Sequence, residues 1–134
     1  MKNIKIIYLL GLILLISSCK KDHIRGDRGK ILFQKDKIIM GPSIDTIEIN
    51  ADKGFYMHHI VNSLDLDSND VFAPNSTRDT IITPWIKAIS LGNDEYTLKI
   101  ITLNRNNSGD NKYCLIYVSN GSYSGRIDIT QLSE

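Results

Sequence analysis

Few of the residues that anchor a reaction or staple a fold occur in this chain. Two cysteines, three prolines and one tryptophan are spread over 134 residues, so a single disulfide is the most the chain could form. Neither sign of charge dominates, with 16 basic residues against 15 acidic ones. Nucleic-acid binders need a concentrated basic surface, so no nucleic-acid partner is expected. No apolar run reaches the about 20 residues that a membrane-spanning helix requires. There is no Gly-x-Ser-x-Gly elbow and no Gly-rich phosphate loop. No second cysteine or closely spaced carboxylate completes a zinc set around a histidine. The expectation is a protein that is not an enzyme and carries neither cofactor nor metal.

What is present begins at the N-terminus. Lys2 and Lys5 precede an almost wholly apolar run, Ile6 to Ile16, which Lys20 and Lys21 end abruptly. A basic front, a short apolar stretch and small residues at its end describe a secretory signal peptide. The stop itself, Ile16-Ser17-Ser18-Cys19, resembles the bacterial lipobox. That resemblance implies alkylation of the Cys19 thiol with diacylglycerol and cleavage of the Ser18–Cys19 bond. Each buried methylene contributes about 0.8 kcal/mol and one chain binds only reversibly. Two or three acyl chains on Cys19 therefore hold the protein at a membrane, its expected partner.

The expected organisation is a signal peptide over residues 1–18, a lipidated cysteine and flexible tether over 19–30, and one domain over 31–134. Removing 18 of 134 residues leaves 116, enough for one modest core. The removal takes two lysines and leaves a formal charge near −1. With Cys19 committed to lipid, Cys114 has no disulfide partner in its own chain. The stretch Lys20 to Lys30 is polar and glycine-bearing, without apolar periodicity. In lipoproteins of the Bacteroides group, surface display follows an acidic stretch just after the cysteine. Lys20-Lys21-Asp22 departs from it, so an outer-membrane anchor is expected with periplasmic and surface faces both open.

Beyond residue 30 the chain is rich in Ile, Val, Thr and Tyr, with Asn, Gly, Ser and Asp between apolar runs, a composition of strands and turns. Strands are expected at Lys30–Gln34, Ile38–Met40, Ser43–Asn50, Phe55–Asn62, Thr80–Thr83, Trp85–Leu91, Tyr96–Leu103, Lys112–Ser119 and Tyr123–Leu132. In the last, Ile127 and Ile129 share one face and Arg126, Asp128 and Thr130 the other. In its neighbour, Cys114, Ile116 and Val118 oppose Leu115 and Tyr117. Asn120-Gly121 between them is a tight-hairpin signal, since both residues tolerate positive φ. Gly92-Asn93-Asp94 separates an earlier pair. An all-β sandwich is the expected architecture.

The order of features in the second half adds a family. Trp85-Ile86, the alternation Leu98-Lys99-Ile100, an Asn-rich turn from Asn104 to Asn107 before Ser108-Gly109-Asp110, then a strand, a Gly hairpin and a closing Ile127-Asp128-Ile129-Thr130-Gln131 resemble the BACON domain, the Bacteroides-associated carbohydrate-binding often N-terminal module. Lys112 stands where that family usually carries arginine, and Asp52-Lys53-Gly54 stands in for its Gly-Gly turn. The resemblance covers roughly residues 35 to 134. It implies an immunoglobulin-like sandwich that binds carbohydrate or mucin.

Sugar faces stack on flat aromatic rings, and Tyr96 and Tyr123, each just after a turn, are the expected ligand contacts. Trp85 is expected in the core, as is Cys114, in line with Ile116 and Val118. Asp65 to Asp70 begins like a calcium loop, but Asp70 and Ser76 stand where such a loop needs glycine and glutamate. His58 and His59 are adjacent, and adjacent strand residues point to opposite faces, so the two cannot chelate one ion without a bulge. Asp45-Thr46-Ile47 and Asp79-Thr80-Ile81 resemble the acceptor for O-glycans in Bacteroides-type envelopes. The expected function is a lipid-anchored, non-catalytic binding or spacer module. Its partner is a glycan or, alternatively, another envelope protein.

Overall fold

The structure, a computed structural model, describes residues 29–62, 70–91 and 96–134. These form ten strands, and no helix occurs among the described residues. They are β1 Gly29–Lys30, β2 Lys37–Met40, β3 Thr46–Asn50, β4 Tyr56–Val61, β5 Val71–Phe72, β6 Thr80–Ile82, β7 Ile86–Ser90, β8 Thr97–Thr102, β9 Lys112–Ser119 and β10 Tyr123–Gln131. One sheet runs β1-β10-β9-β4-β5, with β2 also on β10, and the other runs β3-β8-β7-β6. The chain is an all-β sandwich.

Alternation decides which faces meet. Along β10 Ile127, Ile129 and Gln131 are buried while Arg126 is exposed, and along β9 Cys114, Ile116 and Val118 point the same way as that buried set. From the other sheet Ile49, Ile81, Ile86, Ala88, Leu98 and Ile100 complete one continuous core, which Trp85 closes. Burying a branched aliphatic side chain contributes about 1.5–3 kcal/mol, so this interior supplies most of the driving force. Cys114 is 1% exposed, and burial, with Asp128 nearby, pushes its thiol pKa up. It is a small core hydrophobe rather than a nucleophile.

Three details differ from the sequence reading. First, Gly29 and Lys30, inside the expected tether, form a strand, and the strand expected at Lys30–Gln34 is broken. Gly29 and Lys30 pair with Tyr123 and Ser124, and Phe33 then bridges to Ala51 at the edge of the second sheet. A Cβ at 29 would lie 2.1 Å from the Tyr123 ring, so any larger residue there would have to displace that ring. Second, the β9–β10 hairpin has positive φ at Gly121 alone, at 86°. That pattern belongs to a turn with glycine at its first central position. Asn120 contributes its side-chain amide instead, accepting from Tyr123 N–H at 3.1 Å and donating to the Gly54 carbonyl at 2.9 Å. Third, the two-residue strand β5 was not foreseen.

The Asn-rich turn and the closing Gln131 belong to one polar clasp. Asn106 and Gln131 are both fully buried. The Asn106 side-chain amide donates to the carbonyls of Asp110 at 2.9 Å, Leu132 at 3.2 Å and Gln131 at 3.3 Å. Its oxygen accepts from the Ser108 hydroxyl at 2.7 Å. The Gln131 amide donates to the carbonyls of Asn104 and Pro42 at 2.9 and 3.2 Å. A buried carbonyl that loses its donor carries the full cost of its desolvation. Asn106→Ala is therefore expected to destabilise the domain by about 2–4 kcal/mol, whereas Asn107→Ala, at an exposed position, changes stability by no more than about 0.5 kcal/mol. Urea unfolding followed by circular dichroism measures both, and equal effects would remove the clasp from the account.

Candidate binding groove

A groove of about 730 Å³ opens where the N-terminal segment leaves β10 and returns to it. Ile31 N–H donates to the Ser124 carbonyl at 3.0 Å, and Asp128 N–H donates to the Asp36 carbonyl at 2.8 Å. Between these points the segment swings to the second sheet. Leu32 and Asp52 bond each other there, and Gln34 N–H donates to the Asn50 carbonyl at 3.0 Å. Phe33 packs edge-on against Phe55 with ring centroids 5.4 Å apart. Backbone groups along a strand alternate in direction. Since Ser124 and Asp128 both face the N-terminal segment, Arg126, midway, presents its amide and carbonyl to the gap. The lining carries Lys30, Lys35, Lys37 and Arg126 against Asp36 and Asp128, a cationic surplus. Arg126 Nε lies 2.9 Å from Asp128 Oδ1.

One wall of the groove is aromatic. Arg126, Tyr117 and His59 are opposed across β10, β9 and β4, on the outer face of the six-stranded sheet. The Tyr117 ring, half-buried, stacks on His59 with centroids 4.4 Å apart and planes 16° from parallel. His59 is where the register between β4 and β9 slips: Met57 faces Val118 and His59 faces Tyr117, leaving His58 as the extra residue of a bulge. The adjacent histidines therefore do not diverge, and their rings meet with centroids 4.7 Å apart. Their Nδ1 atoms share a hydrogen bond. Burial, and then the neighbouring His58, hold the pKa of His59 below its ordinary value.

The residues singled out in the sequence lie elsewhere. Tyr123 and Tyr96 are exposed, at 37% and 41%, and neither lines the groove. Both flank the segment Ala51–Lys53. The Tyr96 carbonyl accepts from Ala51 N–H at 2.8 Å, with Tyr96 at φ 49°, and Lys53 Nζ sits 5.2 Å from the centre of the Tyr123 ring. With Gly29 pressed against that ring, Tyr123 secures the start of the domain. Tyr117 was the residue missed: alternation placed it on the outer face, but only the pairing of β9 with β4 and β10 shows what stands beside it. Asp79 accepts from Thr77 and Asn75 side chains at 2.7 and 2.8 Å, which hold its carboxyl below the usual range. Thr46 is exposed and Thr80 half-buried. Cys19, Gly92-Asn93-Asp94 and Asp65 to Asn69 lie outside the described residues. Among the described residues no group of three or more His, Cys, Asp or Glu is placed to hold a metal ion.

No family model matches the chain, and no curated protein matches it. Among solved structures it is similar to the NMR structure of a protein from Bacteroides thetaiotaomicron, with a TM-score of 0.58 and 11% identity over 78% of this chain and 88% of that one. At that identity the likeness shows the fold.

The depressed His59 pKa has a consequence for stability. The unfolded chain takes up the proton near the ordinary value of about 6.5 while the folded one resists it. The contribution is complete above that value and is lost as pH falls below it toward the folded pKa. The melting temperature is therefore expected to fall between pH 7.5 and 5.5, and His59→Gln should flatten the slope in that window. A slope that the substitution leaves unchanged, in calorimetric scans, would assign it to another group.

Proposed function

We propose that the chain is an outer-membrane lipoprotein whose BACON-like, immunoglobulin-like sandwich acts as a non-catalytic binding or spacer module for glycans. The observation that carries this reading is the placing of Ile16-Ser17-Ser18-Cys19 just ahead of the first strand, with the groove opening beside that strand. Only nine residues separate Cys19 from Gly29, and at full extension they could reach no more than about 30 Å, which would keep the sandwich close to the bilayer. Tyr117 offers a ring for a sugar face, and Arg126 and Asp128 offer directional hydrogen bonds to hydroxyls.

The alternative partner, another envelope protein, has its own support. Ile39 on β2 is 73% exposed. It shares an outer-face row with Thr130 and Tyr113 and lies beside exposed Leu132. Exposed apolar residues grouped along an edge strand are a common protein-contact surface.

Lipidation and binding are tested separately. Metabolic labelling with palmitate should mark the wild-type protein and not Cys19→Ser, which should also leave the membrane fraction; label retained on the variant would refute the anchor. On a glycan array, Tyr117→Ala should weaken any wild-type signal about tenfold, the loss of one stacking contact of about 1–1.5 kcal/mol. Binding lost instead with Tyr96→Ala or Tyr123→Ala would move the site away from the groove. No glycan bound, with envelope protein captured through Ile39, would favour the alternative.

A further inference from the structure

From the bulge in β4 we infer that His58 and His59 form a two-nitrogen chelate for a divalent copper ion. Regular strand geometry would send these side chains to opposite faces. The extra residue cancels that alternation and turns both Nδ1 atoms toward each other, 2.5 Å apart. His58 is exposed, so an ion can arrive from solvent, and His59 is held in place by its stack on Tyr117. A pre-set imidazole pair lowers the ordering cost of chelation.

The donor set selects among metals. The pair offers two imidazole nitrogens, and among the described residues no third His, Cys, Asp or Glu is grouped with them. Imidazole nitrogens suit a tetragonal Cu(II) ion, and copper heads the order of affinities for such ligands. Each ring must be neutral, with its Nδ1 lone pair free. The ring that donates the shared hydrogen bond moves that proton to Nε2 when the metal enters. Water fills the remaining positions, since no third protein ligand stands in the described cluster.

The test is titration of the full-length protein in detergent with Cu(II), read by electron paramagnetic resonance. A third histidine, His23, makes His23→Ala the necessary background. Expected is one bound ion per chain with an axial spectrum split by two nitrogens. The splitting should collapse in His58→Ala and in His59→Ala and persist in His23→Ala. His58→Gln, at an exposed position, keeps the fold and should lose the splitting as His58→Ala does. A spectrum that follows His23, that shows fewer than two nitrogens, or that survives loss of both His58 and His59 would overturn the site, as would no binding at all.

Discussion

The structure turns on strand β10, which is paired along both edges. On one side the whole of β9 runs antiparallel to it. On the other, β1 and β2 run parallel in two separate pieces, at residues 123–124 and 128–131. The N-terminal segment cannot stay on β10 throughout, because Phe33 packs against Phe55 and bridges to Ala51 at the other sheet. A chain that seals two sheets at once must leave one of them locally, and the place it leaves is the groove.

The same arrangement explains the crowding around the start of the domain. Ile31 is buried, Gly29 accepts the Tyr123 ring against its backbone, and Lys53 reaches both that ring and the Lys30 carbonyl. At the far end of β10, Gln131 and Asn106 tie the C-terminal residues to the Asn-rich turn and to Pro42 after β2. Both ends of the strand are thus anchored by contacts that only its buried face can make. Its outer face carries Arg126, Asp128 and Thr130.

Much of this was legible. Alternation in β10 and the apolar run of β9, with the Asn120-Gly121 turn between them, gave their inward faces, their pairing and nearly their bounds, and composition gave the all-β class. Cys114 and Trp85 could be assigned to the interior from their neighbours. What stayed hidden depends on partners distant in sequence. Lys30–Gln34 reads as one strand because nothing local records that Phe33 will bridge to Ala51. Asn120-Gly121 marks the hairpin, but the choice of turn follows from the Asn120 bond to Gly54. The bulge at His58 exists only against the register of β9. Tyr96 and Tyr123 looked suited to a ligand because position after a turn signals exposure, whereas Tyr117 acquires its setting from His59 and Arg126 across two strand pairings. The polar clasp is the intermediate case: the Asn-rich turn and the closing Gln131 stood out in the sequence, but the bonds that tie them to the C-terminal residues and to Pro42 could not be read there.

The open edge of β10 is tested most directly by amide hydrogen exchange, residue by residue, on the folded protein. Gly125 and Ile127 face β9, and Asp128 N–H is bonded to the Asp36 carbonyl, so their amides should exchange slowly. The Arg126 amide, facing the gap, should exchange faster than these three by about 100-fold or more. Protection of Arg126 equal to that of its neighbours would mean that the N-terminal segment runs along β10 without interruption and that the groove is closed.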